Sequence, residues 1–387
     1  MTVFEDFRKM CAKYAIFAVL GAFWFLMVNP ASLAVSARDI EKVQMKGVLG
    51  DEDFQIIDNF VKEAVRDLVR TEDFTSIAKV RARILRRSKS SKESAQAQYS
   101  QHFSESALTH ISEAFKQARG LKPEDRKLKT TLNLLILVGN LQDIRLVDLA
   151  IPMLKEPSTI IHYWAVYSIT NPGITEQFNS TEPADLALAG RIIEQLKGLV
   201  DDSSPEITAL MARFAAEVNV PQGEELLLQI AQMRMRRYAD WTVNYELLDA
   251  SILKFLYDKI SSAGQSKAAI ARSFGQLYSY TMQRYIKGRD FLSPEQKHQL
   301  ASVLVEIENK CLWKLLGMTM RQTTIKRAVE QDDYNSLLQE HNRLLGDETS
   351  VGQLPLKLNF DYGTKPDGSK LTAPLALPER PKREVSG

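Results

Sequence analysis

"SPEITALMARFAAEV", residues 204–218, opens on Ser204 and Glu206, which could be reactive groups or parts of a helix. Position favours the helix. Ser204 can cap an N-terminus by accepting from orphan amide N–H groups, and Pro205 suits the first helical position, where its missing N–H costs nothing. Glu206 then faces the positive end of the helix dipole. Ile207, Leu210, Met211, Phe214 and Val218 recur at spacings of three and four, which puts them on one buried face. "SPEQ" at Ser293 repeats the same start, and Gln296 could complete a capping box.

Working outward, "PSTIIHYWAVYSI" (157–169) is a second helix of similar build. Each follows an apolar segment and a short turn, so the helices read as pairs from residue 124 to 260. The turns at Pro157 and Pro205 are 48 residues apart, close to the roughly 40–47 residues of a two-helix repeat plus a small insertion. A third pair, around "GEELLLQIAQMRMRRYADW", lacks the proline turn. "LAIPMLKEPSTIIHYWAVYSI", with Pro152 in its first helix, and "IIEQLKGLVDDSSPEITALMARFAAEV" resemble HEAT or armadillo-type repeats. That resemblance implies a fold and, by analogy, a curved surface for another macromolecule; it implies no reaction.

The flanks also read as helix. Phe54, Ile57, Val61, Ala64, Val65 and Leu68 form one stripe, Phe74, Ile77, Val80 and Ile84 a second, and Tyr99, Phe103, Leu108, Ile111 and Phe115 a third. Gly120 and Pro123 end that last helix. Longer helices after 260 suggest a C-terminal bundle that caps the array. The last 37 residues hold five of the 14 prolines and no helical period, so an extended or disordered tail is expected. The expected fold is all-α: a HEAT-like solenoid of stacked antiparallel helix pairs with a helical cap and a tail. Its segments are 38–123 (N-terminal helices), 124–260 (repeats), 261–346 (cap) and 347–387 (tail).

Residues 1–37 carry an address. Arg8, Lys9 and Lys13 precede an unbroken apolar run from Tyr14 to Val28, and Val35 and Ala37 are small residues placed for signal-peptidase cleavage. Fifteen residues is short of the roughly 20 that span a bilayer. Glu5 and Asp6 dilute the positive region, and a retained membrane anchor is the alternative. Cleavage after Ala37 would leave 47 basic and 46 acidic residues. Such balance speaks against a nucleic-acid partner, which draws a basic excess.

No compact catalytic motif occurs. Phosphate-binding glycine loops, the GxSxG elbow and HExxH are absent. His102 and His110 could share a helix face but have no third ligand in pattern. Glu93–Ser94 and Glu105–Ser106 echo the glutamate–serine pair of lysozyme-like lytic enzymes without the segments that follow it there. Cys311, alone in the mature chain, reads as a small buried apolar residue. Asn179 in "NST" is a formal glycosylation acceptor, and "PERP" (378–381) matches PxxP.

What remains is surface. "KVRARILRRSKSSK" runs seven cations before the next acid. Arg81, Arg83, Arg86 and Arg87 from it, Arg234, Arg236 and Arg237 from "RMRRY", and Tyr163 and Trp164 form a candidate partner surface. Each has a plainer reading as a solvated helix end or core packing. The expectation is an exported, non-catalytic scaffold of the periplasm or cell envelope. It would bind a protein partner or an anionic surface or glycan, need no cofactor or metal, and touch a membrane only through an uncleaved N-terminal segment. The alternatives are a membrane-tethered subunit of an envelope complex, and a helical hydrolase or lyase whose site is spread over distant repeats.

Overall fold

The structure, a computed structural model, describes residues 31–91, 93–180, 182–262 and 266–380. The apolar run proposed as a signal lies outside the described residues; Ala37 lies in a helix of which only the backbone is described there. The described residues are mostly helical, with two isolated bridges and no strand among them. The chain divides into two compact units, Met1–Gln177 and Phe178–Gly387, so the division falls inside the segment 124–260.

In the first unit come α1 (Ala31–Gln44), α2 (Asp51–Arg70), α3 (Phe74–Arg86), α4 (Glu93–Arg119), α5 (Glu124–Leu141) and α6 (Thr159–Thr170). The short α7 (Pro172–Phe178) ends at the division, with Phe178 counted in the second unit. Helices pack on neighbours one and two places along: α2 on α1, α3 and α4, and α5 on α3, α4 and α6. The core between α2 and α4 is built from Ile57, Phe60, Val61, Ala64 and Leu68 against Tyr99, Phe103, Ala107, Ile111 and Phe115. Leu108 is the exception to the expected stripe. A step of four from Phe103 reaches Ala107, which is buried, and Leu108 turns outward. Phe54 and Phe74 also leave the core; Phe54 stacks on His102 at 3.6 Å and Phe74 is 53% exposed.

Pro152 does not sit in an α-helix. Gln142 takes a left-handed conformation (φ 52°) that ends α5, and two 3-10 turns, Ile144–Leu149 and Ile151–Lys155, lead to α6. Proline is tolerated at the start of such a turn because it forfeits no bond there.

The second unit holds α8 (Pro183–Lys197), α9 (Pro205–Glu217), α10 (Pro221–Ala239), α11 (Leu248–Ser262), α12 (Lys267–Lys287) and α13 (Pro294–Ile307). A π-helical turn, Glu308–Leu312, extends α13. Then follow α14 (Thr324–Glu330), α15 (Tyr334–Leu345) and α16 (Gln353–Leu358). Here too helices pack one and two places along: α10 on α8, α9 and α12, and α11 on α9, α12 and α13. The quoted stretch is α9. The Ser204 hydroxyl accepts from the Ile207 amide at 3.4 Å, and Ile207, Met211, Phe214 and Val218 are fully or nearly fully buried. Ser293 and Gln296 close the expected capping box at 3.2 and 3.1 Å.

Helix α12 is the centre of this unit and also packs on α15 and α16. Close approach explains its small residues. A Cβ at Gly275 would meet the Tyr362 hydroxyl at 3.0 Å and the Phe360 ring at 3.2 Å. The stretch expected to be an extended or disordered tail forms α16 and then runs extended against α12; residues 381–387 lie outside the described residues.

Candidate functional site

Helix α12 carries a polar stripe, Gln276, Ser279, Gln283 and Lys287, at steps of three and four. Residues 374–380 run along that stripe in the same direction as the helix. Gln276 serves both main-chain groups of Leu375, accepting from its N–H at 2.8 Å and donating to its carbonyl at 3.1 Å. Gln283 donates to the same carbonyl at 3.2 Å and accepts from the Leu377 N–H at 2.6 Å. Lys287 donates to the Leu377 carbonyl at 2.6 Å and pairs with Glu379 at 2.9 Å. The Trp241 indole N–H donates to the Pro378 carbonyl at 2.9 Å. Alternate residues 375 and 377 are thus paired at both N–H and C=O, as in a sheet ladder, with side chains replacing the second strand.

The reading groups are held from behind. Gln283 also donates to the Ser279 hydroxyl at 2.8 Å, and Ser279 lies 2.8 Å from His341 Nε2. The Asn342 Oδ1 can only accept, so Nδ1 donates to it at 3.0 Å, and in the neutral ring Nε2 is then left to accept from the Ser279 hydroxyl. Burial pushes the His341 pKa down, against a smaller raising effect of Asn342, which favours that neutral form.

Trp241 stands on the loop after α10, in a left-handed conformation (φ 58°), edge-on to Phe291 at 5.2 Å. Two buried ion pairs fix that loop. Arg234 grips Asp249 bidentately at 2.7 and 2.9 Å and donates to the Asn244 carbonyl at 3.0 Å; the Tyr238 hydroxyl donates to Asp249 at 2.7 Å. Arg284 pairs with Glu246 at 3.2 Å and lies over the Trp241 ring at 5.4 Å. Burial pulls the Arg234 pKa down, but the Asp249 carboxylate outweighs it and holds the guanidinium charged.

No family model matches the sequence, and no curated protein matches it. The groove must therefore be judged on its own geometry, beside the other residues singled out in the sequence.

Arg234 is not a surface residue. It is wholly buried, because "RMRRY" forms the last turns of α10 and one face of them turns inward. Arg236 is exposed and paired with Asp201, while Arg237 is half-buried and donates to the Asp201 carbonyl at 2.8 Å. In the first unit Arg81 bonds Asn133, Arg83 pairs with Asp67 at 3.2 Å, and Arg87 bonds Glu41 and, at 2.9 Å, Gln44. Arg86 is exposed. The run thus spends several cations inside its own unit. Tyr163 and Trp164 are half-buried and cluster with Tyr167, Trp164 meeting it edge-on at 5.2 Å.

Cys311 is fully buried in the π-helical turn, and burial pushes its thiol up to about 12. His102 packs on Phe54, and His110 lies 2.9 Å from Asp58. Among the described residues no three metal-ligating side chains converge. Both ends of the Asn179 amide are bonded, to Glu217 and Asn219, within the second unit.

The first unit has a cleft of about 320 Å³ lined by Lys89, Phe103, Ser104, Asp143, Arg145 and Gln177, among others. Burial raises the Asp143 carboxyl, but bonds from Arg145 and Ser104 outweigh it and bring the pKa down. Arg145 grips both oxygens, at 2.9 and 2.8 Å. A carboxylate held this way is a poor proton carrier near neutral pH.

Sequence reasoning missed the groove. The signal present was the stripe of glutamines and lysine at helical spacing, but the partner of Gln276 lies 99 residues away in the chain.

Proposed function

We propose that this chain is an exported, non-catalytic helical protein of the cell envelope that binds another polypeptide, and that the groove on α12 is where it does so. One observation carries the reading: side chains of α12 and the α10–α11 loop hold residues 375–378 through the main chain. Main-chain recognition of an extended segment supplies affinity without dictating each side chain, which is how several peptide-binding domains work. HEAT-like stacking of helix pairs would give the groove its rigid support. The basic, short-cored N-terminal segment supports export, with cleavage after Ala37.

Two experiments test this. Benzoylphenylalanine in place of Phe291, irradiated in intact cells of the source, is expected to crosslink a second polypeptide through an extended segment. Adducts confined to the chain's own residues 378–380 would refute partner binding. Sequencing the purified protein's N-terminus is expected to give Arg38; Met1 would instead support a tethered subunit.

A further inference from the structure

The segment lying in the groove is itself informative. Of residues 374–380, only Pro374 and Leu377 are buried; Leu375, Ala376, Pro378, Glu379 and Arg380 are exposed. The segment is thus held by two apolar anchors, by its main chain, by one exposed ion pair, Lys287–Glu379, and by the Arg380 guanidinium lying 4.3 Å over the Phe291 ring. Pro374 and Pro378 stiffen it in an extended form, which lowers the entropy lost on docking. An indole N–H bonded to a proline carbonyl beside an aromatic edge is also the arrangement that grooves for proline-rich segments use. Leading into it, residues 364–370 are exposed and flanked or interrupted by Gly363 (φ 109°) and Gly368 (φ 83°), around which the space is open. That approach is a turn closed on itself, with the Leu371 N–H bonded to the Gly363 carbonyl at 2.9 Å and Lys370 paired with Asp361 at 3.1 Å, and Thr372 donates to the Asp347 carbonyl at 2.7 Å; beyond that tether, the groove contacts of residues 374–380 are ones that a chain arriving from elsewhere could make.

We propose that the α12 groove selects extended partner segments of the pattern Pro-x-x-Leu-Pro-acid, and that residues 374–379 are its intramolecular competitor. This rests on the reading of the groove as a polypeptide-binding site. Pro374 and Leu377 set the two buried positions, and Lys287 sets the acid after the second proline. A partner must displace the resident segment, so its apparent affinity is reduced by the fraction of grooves already filled.

The test uses the full chain and a labelled peptide with the sequence of residues 371–380, beside a scrambled peptide of the same composition. The full-length Leu377→Asp variant loosens the resident segment, and trypsin cleavage after the exposed Lys370 reads its release. The expected result is faster cleavage and peptide binding at least about tenfold tighter than to the unaltered chain. Adding Gln283→Ala should abolish that binding, and the scrambled peptide should bind neither chain. Equal peptide affinity for the unaltered and released chains would overturn the competition. Equal binding of the scrambled peptide would overturn the pattern while leaving the groove a polypeptide site. No binding to a released chain would overturn both the pattern and the reading beneath it. A second variant, Pro374→Gly with Leu377→Gly, covers misfolding of the first. Resistance to trypsin in both variants would mean these anchors do not hold the segment, and the pattern falls.

Discussion

At the residue scale the second unit depends on charges that water does not reach. Arg234 and Asp249 are both fully buried, and their bidentate bond is what makes either tolerable. Removing one partner strands the other. Arg234→Met is expected to destabilise the protein by about 3–5 kcal/mol, the usual cost of orphaning a buried charge. The double variant Arg234→Met/Asp249→Leu should regain most of that, since well-packed apolar groups often replace a buried pair at little cost. Urea unfolding followed by helical circular dichroism decides it; a double variant as weak as the single one would contradict this account. The sequence did not reveal this role. "RMRRY" places Arg236 outside and Arg234 inside, and which of two neighbouring arginines turns inward is set by a carboxylate on the next helix.

His341 offers a pH readout at the same scale. Its folded pKa is pushed below the ordinary value of 6.5 by burial, and it serves Ser279 as a neutral acceptor. Below about pH 6.5 the unfolded chain takes up a proton that the folded chain resists, so stability falls as pH drops through that window. His341→Asn should flatten the fall in melting temperature between pH 7.5 and 5. His162, also pushed down by burial, keeps its share of the slope in both chains. Identical slopes would show that His341 does not sit neutral behind Gln283.

At the element scale the helices were largely legible because their signals are local. Ser204, Pro205, Ser293 and Gln296 act within one turn of their own position, and their capping bonds form as expected. Loss of the Ser293 hydroxyl frees the Gln296 amide, so Ser293→Ala should cost about 1 kcal/mol, whereas Ser293→Asp should cost far less. Thermal melts of the three chains would check the order; an aspartate as damaging as alanine would argue against capping. Legibility ended where an element answers to a distant one. The stripe on α4 slipped from Leu108 to Ala107, because both residues fit a spacing rule and only packing on α2 distinguishes them. Pro152 read as helical because its apolar neighbours did, but the left-handed Gln142 had already ended α5. The groove was least visible of all: glutamines on a helix ordinarily mean solvent, and here they meet the backbone of residues 375–377.

At the scale of the whole molecule, charge balance limits what kind of partner the chain can hold. Lys and Arg exceed Asp and Glu by two over the full chain, and by one in the chain from Arg38. Much of the one dense basic run is spent locally on Asp67, Glu41 and Asn133. The groove itself uses one ion pair, Lys287 with a Glu379 that is 90% exposed. Exposed pairs of this kind are worth at most about 1 kcal/mol and are screened by salt. Peptide affinity for the released groove should therefore fall less than about fivefold between 50 and 500 mM salt, a limit set by that single pair. Glu379→Gln in the peptide should remove the decline and weaken binding by a similar factor. A partner gripped through the arginine run would behave otherwise, since neutralising several anionic groups makes affinity drop by orders of magnitude over the same range. A titration at three salt concentrations thus separates the two surfaces: a shallow slope places the partner on main-chain bonds along α12, and a steep one moves it to Arg81–Arg87.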